Sequence, residues 1–185
     1  MYGLVNRAIE GLIRDRFGDD TWEQILDEAN VEEDGFVSLD QYPDHITYDL
    51  VGAASKVLDT PAEVLLRAFG TYWTCYVGQQ GYGPMMSLDN QSLGQFLSQL
   101  DALHTRLAIQ MPQLRPPSFT VEHPEPHIHI VHYHSERQGL GPMVVGLLEG
   151  LLELKGLTGD VTWLEKKGPG ADHDIFRVVE TGPRT

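Results

Sequence analysis

LGQFLSQLDALHTRLAIQM, residues 93–111, is the stretch on which the reading of the chain turns. Phe96, Leu97, Leu100, Leu103, His104, Leu107 and Met111 fall on one stripe of a helix, a pattern that has to face a core or a cofactor. One member of the stripe is polar. The imidazole of His104, turned inward among Leu100, Leu103 and Leu107, demands a partner, because an unpaired polar ring in apolar surroundings is costly. Pro112, Pro116 and Pro117 then stop the helix, since proline gives no N–H to the ladder and restricts the residue before it.

Upstream, Leu4, Val5, Ala8, Ile9, Leu12 and Ile13 recur at helical spacing and predict an amphipathic helix over residues 2–17, ended by Gly18. A second helix is expected from near Asp20 or Thr21, its early acids Asp20 and Glu23 suiting the positive end of a helix dipole, with Asp34 and Gly35 marking a turn. A third helical pattern covers residues 42–58 after Pro43. Thr60, Pro61 and Glu63 read as the N-cap, first-position proline and early acid of a fourth helix that carries Val64, Leu65, Phe69, Tyr72, Trp73 and Tyr76. Residues 78–83 read as a breaker and residues 84–88 as a short apolar piece.

Downstream of the prolines the period changes. Residues 118–122 and 127–135 are β-rich, 141–154 returns to helix, and 161–164 with 175–179 read as a hairpin across Gly168, Pro169 and Gly170. Helices first, then strands with one helix among them, predict an α+β fold, and no linker or repeat divides residues 1–185, so one domain is expected.

Length and composition narrow the function classes. With 185 residues and 41% apolar side chains the chain can bury a sizeable core. Thirteen Lys plus Arg against 27 Asp plus Glu give a net charge of -14, which repels nucleic acid and anionic membranes. Cys75 is the single cysteine, so no internal disulfide is expected; the opening residues lack a secretory pattern, and apolar runs stop short of a membrane span. A cytoplasmic location is the expectation.

Two places carry chemistry. His104 suits either a backbone carbonyl, the usual arrangement of a core histidine, or the iron of a five-coordinate ferrous heme, which takes a neutral imidazole in an apolar pocket. Tyr133, Ser135 and Arg137 alternate, and in an extended strand that spacing puts all three on one face. A guanidinium fork with two hydroxyl donors fits heme propionates or a phosphate; an ordinary polar strand face is the other reading.

With these residues in place, the chain resembles the heme-nitric oxide/oxygen binding family, H-NOX, which includes the heme domain of the soluble guanylate cyclase β subunit. The resemblance rests on MYGLVN at 1–6, DHITYDLVGAAS at 44–55, FGTYW at 69–73 and LDALH at 100–104. It continues through LRPPSF at 114–119, YHSER at 133–137 and GLGPMVVGL at 139–147, nearly the whole length. It implies about seven helices and a C-terminal four-stranded antiparallel sheet, with heme b buried between the helical part and the sheet part. It further implies His104 as the iron ligand, Tyr133, Ser135 and Arg137 on the propionates, and Pro117 pressed against the porphyrin; for Pro116 and Pro117 the plainer reading is a helix stop. Val5, Trp73, Leu100, Leu103, Met143 and Leu147 fall where the family places heme-contacting side chains, with plain core packing as the alternative.

The same resemblance implies a gas sensor rather than an enzyme. Oxygen-binding members use a distal tyrosine, and Met143, at the matching position, has no O–H to donate. Nitric oxide and carbon monoxide need such a donor less, so the expected ligand is nitric oxide, with carbon monoxide also binding; Trp73, whose indole carries an N–H, is the complication. The expected signal is release of His104 and relaxation of the porphyrin against Pro117, passed to a separate effector such as a histidine kinase or a cyclic-dinucleotide enzyme.

Three other readings compete. His123, His127, His129, His132 and His134 are dense enough for zinc or copper, but alternation splits them between opposite strand faces and predicts exposed edges instead. His45 and His173 have no partner nearby in sequence. A heme enzyme that binds oxygen or activates oxygen or peroxide would want a distal acid–base group, which Val5, Met143 and Leu147 do not supply. A heme-free interaction module would have no use for His104 together with Tyr133, Ser135 and Arg137.

Overall fold

Gly18, at φ 88°, breaks the first helical run and separates α1 (Gly3–Phe17) from α2 (Asp19–Ala29). The computed structural model describes residues 1–32, 35–77, 91–111 and 113–184. Asp34 of the expected turn, the breaker at 78–83, the apolar piece at 84–88 and Pro112 of the proline stop lie outside the described residues. α3 (Asp44–Val57) begins after Pro43, as the sequence predicts, and α4 (Ala62–Val77) follows. Thr60 does not cap α4: its hydroxyl donates to the Leu58 carbonyl, and the Pro61 carbonyl accepts the first helical N–H groups, so the helix begins one residue later than expected.

These helices enclose one apolar core. Ile9, Leu12, Trp22, Ile25, Leu50 and Phe69 are among its buried members, each removing enough apolar surface from water to contribute about 1.5–3 kcal/mol before ordering costs. Asn6 and Thr47 are buried with them, the threonine hydroxyl donating to the amide oxygen across 2.7 Å.

The second half begins with α5 (Leu93–Gln110), capped by Ser92, whose hydroxyl accepts from Gln95 N–H while the Gln95 side chain returns to Ser92 N–H. β1 (Ser118–Glu125), β2 (Ile128–His134), α6 (Gly141–Leu154), β3 (Leu157–Glu165) and β4 (Asp174–Pro183) complete it. The four strands form an antiparallel sheet in the order β1-β2-β4-β3. Along β2 the burial alternates strictly, with His129, Val131 and Tyr133 inward. That face packs with Phe96, Leu97 and Leu100 of α5 and Val144, Leu148 and Leu151 of α6 into a second core. Among the described residues there are six helices, in keeping with the expected α+β fold, and no helix is long and apolar enough to cross a membrane.

α6 ties the two halves together. Met143 packs on the helical core while Val144 and Leu148 belong to the sheet core. The crossing with α4 is so close that a Cβ at Gly70 would collide with the Met143 carbonyl, and one at Gly146 with the Arg67 carbonyl. Only residues without a side chain let two backbones approach in this way.

Candidate heme site

His104 stands near the middle of α5, and its two ring nitrogens have separate roles. Nδ1 lies 2.8 Å from the Leu100 carbonyl oxygen one turn back, so it carries the hydrogen and donates. Nε2 is therefore the bare nitrogen, and it meets no hydrogen-bond partner among the described residues. Burial pushes the imidazole below its ordinary pKa, against the opposing pull of the Leu100 hydrogen bond and the Asp101 charge, so the ring is held neutral. Both readings of this histidine in the sequence are thus compatible: one nitrogen satisfies the backbone and the other remains a free donor pair. Phe119 of β1 packs against the ring at 5.1 Å between centroids, and its own backbone N–H is held by Asp101 Oδ1 at 3.0 Å.

Tyr133, Ser135 and Arg137 come together, though not as a strand face. β2 ends at His134, so Ser135 and Arg137 leave the ladder. A short side-chain turn does the gathering: Ser135 Oγ accepts the Arg137 N–H at 3.1 Å. Tyr133 is buried, which raises its hydroxyl pKa against a hydrogen bond with Ser135.

Arg137 has a partner that no sequence pattern marks. Its Nε donates to Asp44 Oδ2 at 2.8 Å, Nη2 to Asp44 Oδ1 at 3.3 Å, and Nη1 to the Arg115 carbonyl at 2.8 Å. Asp44, in the first turn of α3, also accepts from the N-terminal ammonium at 2.5 Å. Burial raises its carboxyl pKa, but the ammonium and the guanidinium outweigh that and hold it below the usual carboxylate range. A guanidinium has five N–H groups, and three are used here, so two remain for an anion.

The apolar candidates divide between the halves. Val5, Trp73 and Met143 pack on the helical core, and Leu100 is buried in the sheet core. Leu103, Pro117 and Leu147 are half-buried and belong to neither core. Trp73 stacks on Tyr76 and meets Phe69 edge-on, with centroids 6.4 and 5.9 Å apart, and its indole N–H makes no hydrogen bond among the described residues.

The donor set fits a heme: a neutral imidazole with one bare nitrogen, two hydroxyls and a guanidinium with N–H groups to spare, and half-buried apolar side chains from both halves. One protein imidazole suffices as a ligand where a macrocycle brings the other donors to iron.

The histidine-rich strand corrects the expectation of exposed edges. His129 is 2% exposed, with His123 Nδ1 at 2.8 Å and Glu180 at 2.7 Å. On the opposite face His132 meets His173 at 2.8 Å and His134 stacks on His173 at 4.1 Å, so His173 does have partners. His173 lies in the β3–β4 connection, 39 and 41 residues beyond these two, a separation that sequence proximity cannot reveal, and its other nitrogen meets the neighbouring Asp172 at 2.5 Å. Among the described residues no group of three or more His, Cys, Asp or Glu is placed to hold a metal ion.

Residues 2–162 match the family model described as Haem-NO-binding. The chain is 28% identical over 151 residues to soluble guanylate cyclase gcy-31 of Caenorhabditis elegans, covering 82% of this chain and 22% of that protein. It is 35% identical over 132 residues to guanylate cyclase soluble subunit beta-2 of Rattus norvegicus, covering 66% of this chain and 19% of that one. The chain therefore spans about a fifth of the length of these relatives. Among solved structures, an H-NOX protein from S. oneidensis in the Fe(II)NO ligation state superposes with a TM-score of 0.87 at 16% identity, over 98% of this chain and 100% of that one.

Proposed function

The chain belongs to the Haem-NO-binding family, and from that premise we propose that residues 1–185 are a single sensor domain holding heme b on His104 and responding to nitric oxide and carbon monoxide. The observation that carries this reading is the divided imidazole, Nδ1 committed to Leu100 and Nε2 bare. When bound, a ferrous heme supplies the iron to which a diatomic gas attaches. The chain's own residues do the rest. His104 offers a neutral lone pair at a fixed angle, because the Leu100 carbonyl and the Phe119 ring restrain its rotation. Tyr133, Ser135 and Arg137 would donate hydrogen bonds to the propionates, while Val5, Met143 and Leu147 would line the gas side without offering a hydroxyl. Pro117, rigid in φ, would press on the macrocycle.

The role is sensing rather than catalysis, and the output passes to a separate effector such as a histidine kinase or a cyclic-dinucleotide enzyme. Asp44 and Arg137 join the helical half to the loop after β2, so a change at the propionates reaches α3 directly. The test is the absorption spectrum of the reduced protein before and after carbon monoxide, nitric oxide and air. A Soret band that shifts with the first two and not with air is expected. His104→Gly protein that keeps the same spectra without added imidazole would overturn the assignment.

A further inference from the structure

His129 lies on the inner face of β2 at 2% exposure, and both its nitrogens are engaged: Nδ1 with His123 Nδ1 of β1 at 2.8 Å, Nε2 with Glu180 Oε1 of β4 at 2.7 Å. His123, at the surface, continues the line: its Nε2 is 2.8 Å from Ser98 Oγ of α5. The same hydroxyl is 2.9 Å from the Gly94 carbonyl oxygen and oriented to donate to it. α5 rests on this arrangement, for a Cβ at Gly94 would stand 2.9 Å from His129 Cε1.

The positions of the hydrogens follow from the partners. Glu180 as a carboxylate can only accept, so His129 Nε2 carries a hydrogen and, in the neutral ring, Nδ1 is bare. His123 Nδ1 must then donate. His123 Nε2 has two satisfied states. Bare, it accepts the Ser98 hydroxyl; protonated, it donates to Ser98 Oγ, whose hydrogen turns to the Gly94 carbonyl. No heavy atom moves between them. A second proton has no place, because it would set two N–H groups against each other at 2.8 Å and put two positive charges side by side.

We propose that Ser98, His123, His129 and Glu180 form a one-proton relay, in which a proton from solvent is held on His123, balanced by Glu180 through a neutral His129, and passed to α5 as a reversal of the Ser98 hydroxyl. This goes beyond the heme reading and does not depend on it. The charged and titratable surroundings are few. β1 presents His123 and β4 presents Glu180; His127 in the connecting turn pairs with Glu125 at 3.5 Å, Glu122 faces His132 on the other side at 3.5 Å, and α5 offers uncharged Gly94 and Ser98.

The test is nitrogen-15 NMR of the histidine rings in the full chain between pH 8 and pH 5, with the Gly94 carbonyl carbon followed in parallel. Of the four nitrogens in the two rings, one, His123 Nε2, is expected to change from bare to protonated, and the Gly94 carbonyl signal to move with it. In Ser98→Ala protein the nitrogen should still change while the Gly94 signal stays still. Protonation of His129 Nδ1 with α5 amides still protected, a change at two nitrogens, or no change at any would each overturn the relay.

Discussion

Asp44 and Arg137, 93 positions apart, form a two-point ion pair with Nε–Oδ2 at 2.8 Å and Nη2–Oδ1 at 3.3 Å, joining the first turn of α3 to the loop that leaves β2. The N-terminal ammonium completes a cluster of two cations on one carboxylate.

Asp44→Asn keeps the shape and removes the charge. Because the Asp44 side chain is 41% exposed, solvent screening limits the loss, and the expected cost is about 0.5–1 kcal/mol of unfolding free energy. The pH dependence has a definite sign. A carboxyl held below its unfolded value stabilises the fold above the usual carboxylate range and loses that contribution as pH falls through it. Urea unfolding of both proteins at pH 7 and pH 3 should therefore show a gap at neutrality that closes in acid; a gap that widens would contradict the pairing.

Asp101→Ala removes the acceptor for the Phe119 N–H and frees the strand that carries the ring packed on His104. A lost hydrogen bond of this kind costs about 1 kcal/mol. Thermal unfolding should register that loss, and heme should leave the variant faster in a transfer assay to an apo-globin acceptor. Equal transfer rates would mean that Phe119 does not restrain the imidazole.

Trp73→Phe keeps an aromatic ring against Phe69 and Tyr76 while deleting the indole N–H. If the distal side recognises gas without a donor, the responses to carbon monoxide and nitric oxide should be unchanged within about twofold, and air should leave both spectra alone. A wild-type spectrum altered by air, and restored by this substitution, would assign the donor to Trp73.

Gly70→Ala places a methyl against the Met143 carbonyl, where backbone rather than a flexible side chain must yield. The expected penalty is about 1–3 kcal/mol, or several degrees in Tm. An unchanged Tm would mean that α4 and α6 separate at no cost.

Much of this architecture is legible in the residues. The stripe from Phe96 to Met111 places α5 and its histidine, and period-two alternation around Val131 and Tyr133 places β2, because each pattern is local to its element. What is not legible depends on contacts between elements. Ser135 and Arg137 carry the spacing of a strand, yet a hydroxyl-to-backbone bond turns the chain after His134. Asp44 is one acid among 27, and nothing in its neighbourhood marks it as the partner of Arg137. His129 alternates as an inward residue, but its burial is affordable only through His123 and Glu180, the latter 51 positions away.

The glycine crossing of α4 on α6 has a mechanical corollary. Where Gly70 and Gly146 let the two backbones approach, the spacing of the two apolar cores at this crossing is set by main chain instead of by rotamers, so side-chain repacking does not set the width of the seam between them. A single methyl inserted there acts as a shim, altering the gauge of the whole seam at once.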